Sequence, residues 1–214
     1  MIDTVLFDLD GTIINTNELI ISGFLHVLGE HTDKPFTREE IIPNMGLTLD
    51  HQFKIFTGLE DVSHLAQAYR DYSHIHHDNM VKGFPNVKEV IMHLHEQGIK
   101  LGIVTTKMRE STRRVLEHFG YLQYFDVIVT LDDVKEPKPN PEPVLTAIKK
   151  LGSDPKRTIM VGDSPADIQA ANAAGVVSVA VSWSLKGAEV LRKYDPAYVI
   201  DDVTELYGIM RLES

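Results

Sequence analysis

The chain has 214 residues, a formal net charge of −10 and no cysteine. These facts exclude disulfides, thiolate metal sites and a cysteine nucleophile. They also argue against nucleic acid as partner, because a phosphate backbone needs a positive face. The length suits one large domain, or a core with a smaller one, and buries about 70% of the unfolded surface without a staple.

No apolar run approaches the length of a membrane span. Met1-Ile2-Asp3 leads straight into a strand, without the basic and apolar stretches of a signal peptide. With a cysteine-free composition that fits a reducing compartment, the expectation is a cytoplasmic protein with no membrane partner.

In chain order, Thr4-Val5-Leu6 opens an apolar run that ends abruptly in Phe7-Asp8-Leu9-Asp10-Gly11-Thr12. The run reads as a parallel strand buried on both faces. Side chains alternate along a strand, so Asp8 and Asp10 leave the sheet on the same side. Two carboxylates so close repel each other and invite a divalent cation. Gly11 permits a sharp turn just after them. Taken alone, the stretch fits equally a strand that ends in a polar turn.

Residues 15–80 read as helices with no strand pattern. Leu19, Ile20, Phe24, Val27 and Leu28 have helical spacing between Thr16 and Gly29. Thr37 and Glu40 fit a capping box. Further helices are expected from Leu49 to Phe56 and from Asp61 to Met80. Val81-Lys82-Gly83-Phe84-Pro85 reads as a linker or hinge.

From Asn86 onward helices and strands alternate. The strands are expected at Lys100–Thr105, Asp126–Thr130, Thr158–Gly162 and Val176–Ser182, with a short edge strand at Ala197–Ile200. The helices between them stop at Gly98, Gly120, Gly152 and Gly175. This is an α/β pattern, a doubly wound parallel sheet with a Rossmann-like core. The expected division is a core of residues 1–14 and 81–214, with an inserted α-helical cap at 15–80.

In such a sheet the carboxyl ends of the strands line one edge. That edge collects Asp8 and Asp10, then Thr105-Thr106-Lys107, then Lys138 in the following loop, then Asp163 with Asp167 four residues on. Carboxylates, a hydroxyl and an ammonium together suit phosphoryl chemistry.

These stretches, in this order, resemble the four motifs of the haloacid dehalogenase-like hydrolase superfamily: Asp8-Leu9-Asp10-Gly11-Thr12, Thr105, Lys138 and Gly162-Asp163-Ser164-Pro165-Ala166-Asp167. The helical block resembles that family's cap, which closes over the site. The resemblance implies a phosphohydrolase in which Asp8 is the nucleophile and Asp10 the general acid and base. Thr105 and Lys138 would hold the transferring phosphoryl group, and Thr106 and Lys107 would bind substrate. Mg²⁺ would sit on Asp8, the backbone carbonyl of Asp10 and Asp163, with Gly11 and Asp167 in support. Asp10 disfavours the dehalogenating branch, which lacks that carboxylate.

Asn15-Thr16-Asn17-Glu18-Leu19-Ile20, Leu101 to Lys107, Val129 to Val134, and Lys186-Gly187 resemble the family's pyrophosphatases. Asn15 and Thr106 stand where many capped relatives carry Asp and Asn. The expected substrate is therefore a small phosphate compound, pyrophosphate. The alternatives are phosphoglycolate or another phosphomonoester, a phosphosugar mutase, or a non-catalytic phosphate binder.

Among smaller signals, His74, His76 and His77 read as a solvated face rather than a metal cluster. Trp183 reads as core packing. Asn17 and Glu18 fit a cleft face or a solvent face, and Arg109 an anion contact or a solvated helix start.

Overall fold

The computed structural model describes residues 2–212. The first strand, β1 (Thr4–Phe7), is buried along its whole length, as an apolar run with helices on both faces must be. A two-residue strand, β2 (Ile14–Asn15), precedes four helices: α1 (Asn17–His31), α2 (Arg38–Ile41), α3 (Leu49–Thr57) and α4 (Ser63–Met80). The capping box at Thr37 and Glu40 opens α2 as expected. β3 (Lys82–Gly83) then returns antiparallel to β2, pairing Ile14 with Gly83 and Asn15 with Lys82.

The remaining elements are α5 (Val87–Glu96), β4 (Lys100–Val104), α6 (Arg109–His118), β5 (Val127–Val129), α7 (Glu142–Leu151), β6 (Thr158–Gly162), α8 (Pro165–Ala174), β7 (Val177–Val181), α9 (Ala188–Arg192), β8 (Tyr198–Ile200) and α10 (Glu205–Met210).

The main sheet is parallel in the order β5-β4-β1-β6-β7-β8, so β1 lies between β4 and β6. Alternation in β1 sends Val5 and Phe7 to one face and Leu6 to the other. The first face packs on α5, α6 and α10 through Val90, Ile91, Leu94, Val115, Leu116 and Leu206. The second packs on α7 and α8 through Val144, Ala147, Ala170 and Ala171. The architecture is a doubly wound α/β sheet with a Rossmann-type core.

Helices α1–α4 bury a separate apolar cluster that includes Phe24, Phe53, Ile41 and Leu65. The rings of Phe24 and Phe53 lie 4.9 Å apart. Their core is their own, and β2 and β3 bring the start and end of this helical block side by side.

Two features correct the sequence reading. Asn15 lies in a strand, and residues 81–85 contain its partner rather than a free linker. Short α9 and α10 were not anticipated, since five or six residues show too few turns for periodicity. Among the described residues, no helix is long and apolar enough to cross a membrane.

Candidate active site

β1 delivers Asp8, whose backbone N–H continues the pairing by donating to the Val161 carbonyl at 2.9 Å. The chain then turns tightly, with the N–H groups of Thr12, Ile13 and Ile14 all donating to the Leu9 carbonyl. Gly11 has φ +83°, and a Cβ there would stand 2.5 Å from Asp163 Oδ2. Only glycine fits, for conformation and for space. Gly11 is therefore a packed contact with Asp163, not a flexible junction.

Lys138 is buried and spends its three N–H bonds inside the site. It donates to Asp8 Oδ1 at 2.6 Å, Asp167 Oδ1 at 2.5 Å and the Val104 carbonyl at 2.8 Å. It thus joins the ends of β1 and β4 to the start of α8. Asp167 is the third residue of α8 and completes a capping box. Its Oδ2 accepts from the Ser164 N–H at 3.0 Å and the Ser164 hydroxyl at 2.6 Å. Gly162 has no side chain to collide with Asp167, which packs directly over it.

Asp8, Asp163 and Asp167 bring carboxylate oxygens within 4.8 Å of one another. They are not equally free. Both oxygens of Asp167 are engaged as just described. Asp163 accepts only a long 3.5 Å bond from Thr12 Oγ1, and Asp8 Oδ2 has no bond among the described residues. An all-oxygen, negatively charged set of this kind fits a hard divalent cation, with Asp8 and Asp163 the available ligands and Asp167 the anchor of Lys138.

Asp10 faces Lys107, whose Nζ donates to Oδ1 at 3.1 Å and Oδ2 at 3.0 Å. The Lys107 N–H donates to Thr105 Oγ1 at 3.2 Å. Thr105 is buried, and its own N–H pairs with the Val129 carbonyl at 3.0 Å. Thr106 reaches toward the helical block and donates to the Gly46 carbonyl at 3.3 Å. Gly46, at φ +95°, packs so closely on Ser164 that a Cβ would come within 2.7 Å. The sheet edge and helices α1, α3 and α4 enclose a cleft of about 830 Å³ lined by Asp8, Asp10, Thr105, Thr106, Lys107 and Asp163.

Residues 5–181, spanning all of these strand ends, match the family profile described as haloacid dehalogenase-like hydrolase. The chain belongs to this family. Among the hydrolases it resembles is Pyrophosphatase PpaX of Bacillus mycoides, 44% identical over 209 residues, covering 98% of this chain and 97% of the relative. Another is Pyrophosphatase PpaX of Halalkalibacterium halodurans, 44% identical over 213 residues and covering 100% and 99%. A solved structure from Bacteroides fragilis, assigned as a haloacid dehalogenase-like hydrolase, superimposes with a TM-score of 0.90 at 31% identity, covering 96% of this chain and all of that one. One from Lactobacillus plantarum, assigned as a phosphoglycolate phosphatase, has a TM-score of 0.89 at 22% identity over 98% and 99% of the two chains, a likeness of fold.

The cluster of Asp8, Asp163 and Asp167 holds surplus negative charge. Burial pushes the Asp8 carboxyl well above the usual carboxylate range; Lys138 opposes this, while Asp167 and Asp163 add to it. Asp163 is pushed up to about 7, by burial first, against the pull of Lys186 and with the push of Asp167. Burial works against the Lys138 ammonium, but Asp167 and Asp8 outweigh it and hold its pKa above the ordinary lysine value. Both directions hold together because the Lys138 ammonium is bonded to two carboxylates and Asp163 stands as a third beside them.

A raised carboxyl pKa stabilises the folded chain at low pH, fully below about pH 4, and the contribution fades as pH climbs toward the folded value of about 7. Asp163→Asn removes that dependence. In metal-free thermal melts, the Tm of the Asn variant minus that of the wild type is expected to widen from about pH 5 to about pH 8. A gap that stays constant or narrows would contradict the surplus charge assigned here.

Other predicted residues fall away from the cleft. Glu18 forms an exposed pair with Arg38 at 2.7 and 2.8 Å. Asn17 is buried. The Arg109 N–H at the start of α6 donates to Asp132 Oδ2 at 2.8 Å, and its guanidinium pairs with Asp133 at 3.0 Å. Trp183 packs against the core and Phe84, as expected. Of the histidines, His74 is exposed, as the solvated face predicts, and stands at the cleft; His76 is half-buried and stacks on Tyr72 at 4.3 Å; only His77 departs from the expectation, being buried at the cleft wall with Nδ1 2.7 Å from Asp78 Oδ1.

The sequence reading missed the cleft residues Gln52, Tyr69, Arg70 and Arg114. The available signal was weak. Gln67, Arg70, His74 and His77 repeat at helical spacing, but α4 is polar around most of its circumference.

Proposed function

We propose that this hydrolase cleaves inorganic pyrophosphate to phosphate through a phosphoryl group carried on Asp8. The observation that carries the reading is the meeting of Asp8 and Asp163, with Lys138 buried behind Asp8, in a cleft whose wall holds Asp10 on Lys107. The relatives named as pyrophosphatases over nearly the whole chain support the choice of substrate.

The free Oδ2 of Asp8 attacks phosphorus, and the bond from phosphorus to the bridging oxygen breaks. The leaving phosphate departs beside Asp10 and Lys107. Lys107 has a third N–H beyond the two given to Asp10, and that bond suits an oxygen of the leaving group. The Thr105 hydroxyl, whose O–H is uncommitted, bonds an oxygen of the group in transfer, while Lys138 holds the other oxygen of Asp8 in place. Asp10 then takes a proton from water, the water oxygen attacks phosphorus, and the bond to Asp8 breaks to release the second phosphate. Mg²⁺, held by Asp8, Asp163 and the carbonyl of Asp10, would supply positive charge where phosphoryl oxygens and carboxylates crowd together.

In this reading residues 15–80 act as a cap, joined to a core of 1–14 and 81–214 through the paired β2 and β3, and its closure excludes water from the site. The cleft is roomy enough to admit a phosphomonoester such as phosphoglycolate, so the test compares the two substrates. With Mg²⁺, kcat/KM for pyrophosphate is expected to exceed that for phosphoglycolate by about tenfold or more, about 1.4 kcal/mol of transition-state preference. Exhaustive chelation is expected to abolish phosphate release and Mg²⁺ to restore it. A tenfold preference for phosphoglycolate would replace the proposed substrate, and activity that survives chelation would remove the cation.

A further inference from the structure

The cleft is lined by six carboxylates, Asp8, Asp10, Asp50, Asp71, Glu110 and Asp163, but by only three Lys or Arg side chains, Arg70, Lys107 and Arg114. Two of these cations are committed. Lys107 holds both oxygens of Asp10. Arg114 donates to the His74 carbonyl at 3.1 Å and to Asp78 at 3.2 Å, joining α6 to the end of α4. Arg70 makes no ion pair or hydrogen bond with any other described residue, although Asp50, Asp71 and Glu110 line the same cleft. It is the uncommitted cation of a strongly acidic cavity.

Its neighbour Tyr69 fixes where it stands. The Tyr69 ring packs against Phe24 at 5.0 Å and Phe53 at 6.2 Å. A Cβ on Gly23 would come within 2.8 Å of that ring, so α1 and α4 meet here with no spare space. This contact sets the rotation of α4 and brings Gln67, Arg70, His74 and His77, spaced along one helical face, to the cleft wall. Tyr69 also lines the cleft. Burial first, and then the nearby Asp10 charge, hold its phenol un-ionised, so it presents an O–H.

We propose that Arg70, supported by the Tyr69 hydroxyl, binds the phosphate of pyrophosphate that is not transferred to Asp8. This rests on the pyrophosphate reading above. The far phosphate of a diphosphate carries more charge than the single N–H that Lys107, shared with Asp10, can offer it, so it calls for a second cation. A planar guanidinium presents paired donors that match two phosphate oxygens. A substrate with one phosphate and no second anion makes no such demand. Arg70 is thus a specificity-determining residue supplied by the helical block, while the sheet edge supplies the chemistry.

The test combines binding and turnover. Wild type, Arg70→Ala, Arg70→Lys and Tyr69→Phe are titrated with imidodiphosphate and with inorganic phosphate, and assayed with pyrophosphate and p-nitrophenyl phosphate. Arg70→Ala is expected to weaken imidodiphosphate binding about tenfold and to raise KM for pyrophosphate similarly, with kcat changed less. Phosphate binding and p-nitrophenyl phosphate turnover should stay within about twofold of wild type. Arg70→Lys should recover part of the loss, and Tyr69→Phe should show a smaller one. Equal imidodiphosphate affinity in wild type and Arg70→Ala overturns the proposal. So does a loss shared equally by imidodiphosphate and phosphate. If wild type prefers phosphoglycolate while the imidodiphosphate pattern holds, the pyrophosphate reading falls and the anion subsite at Arg70 stands.

Discussion

Asp8→Asn is expected to abolish turnover, a fall in kcat on the order of 10⁴-fold or more, in a protein that stays folded. An amide is no nucleophile toward phosphorus, so the covalent step has no substitute. The folding argument is separate and comes from charge. Asp8, Asp163 and Asp167 place three carboxylates around the one ammonium of Lys138, more negative charge than it can balance when they ionise. The substitution removes one of them. The Asn side-chain oxygen still accepts from Lys138, and Asp167 and the Val104 carbonyl keep their bonds to it. Stability should be unchanged or slightly higher.

Lys138→Met provides the contrast. It removes the only ammonium bonded, among the described residues, to Asp8 and Asp167 and leaves the carboxylates buried against one another, a loss expected at about 3–5 kcal/mol. Chemical denaturation of both variants beside a phosphate-release assay separates the effects. Turnover well above background in folded Asp8→Asn would sink the nucleophile assignment. Equal stability of Lys138→Met and wild type would sink the charge argument.

How much of this was legible beforehand depended on whether a rule of topology applied. Asp8, Thr105, Lys138 and Asp163 lie up to 155 residues apart, yet each follows a parallel strand, and parallel strands in one sheet end at one edge. That rule brings the residues to one edge without any side-chain information. It does not say which groups bond. The three-way engagement of Lys138 and the grip of Lys107 on both oxygens of Asp10 depend on rotamers and packing. The Asp163 and Asp167 spacing points to the place where α8 begins, with Asp163 two residues ahead of the helix and Asp167 its third residue, but the reason one is tied up lies in the Ser164 capping box.

The helical block was harder. Its helices followed from apolar spacing, whereas the face of α4 turned to the cleft is decided by Tyr69 packing on α1. The burial of His77 likewise comes from the α4 and α6 contact, with His118 at 5.7 Å, and not from any pattern within its own helix. β2 and β3 pair over two residues each, too few for alternation to show.

Asp10→Asn should separate the two halves of the reaction. With pyrophosphate the group that leaves Asp8-bound phosphorus is phosphate, a stable anion that departs without first gaining a proton. In the variant Lys107 also loses its carboxylate partner, and its N–H bonds become available to that anion. Transfer to Asp8 should therefore continue. The second half needs a base to take the proton of the attacking water, and the amide at position 10 cannot serve. Phosphate should accumulate on Asp8, visible as a single phosphoryl adduct in intact-mass spectra after mixing with pyrophosphate, and a burst of about one phosphate per chain should be followed by slow release. Phosphoglycolate should barely react, because its glycolate oxygen leaves as an alkoxide unless a proton reaches it. A phosphorylated variant formed equally fast from both substrates would mean that Asp10 protonates neither leaving group. No adduct with pyrophosphate, in a variant that still binds imidodiphosphate, would place Asp10 in the first step instead.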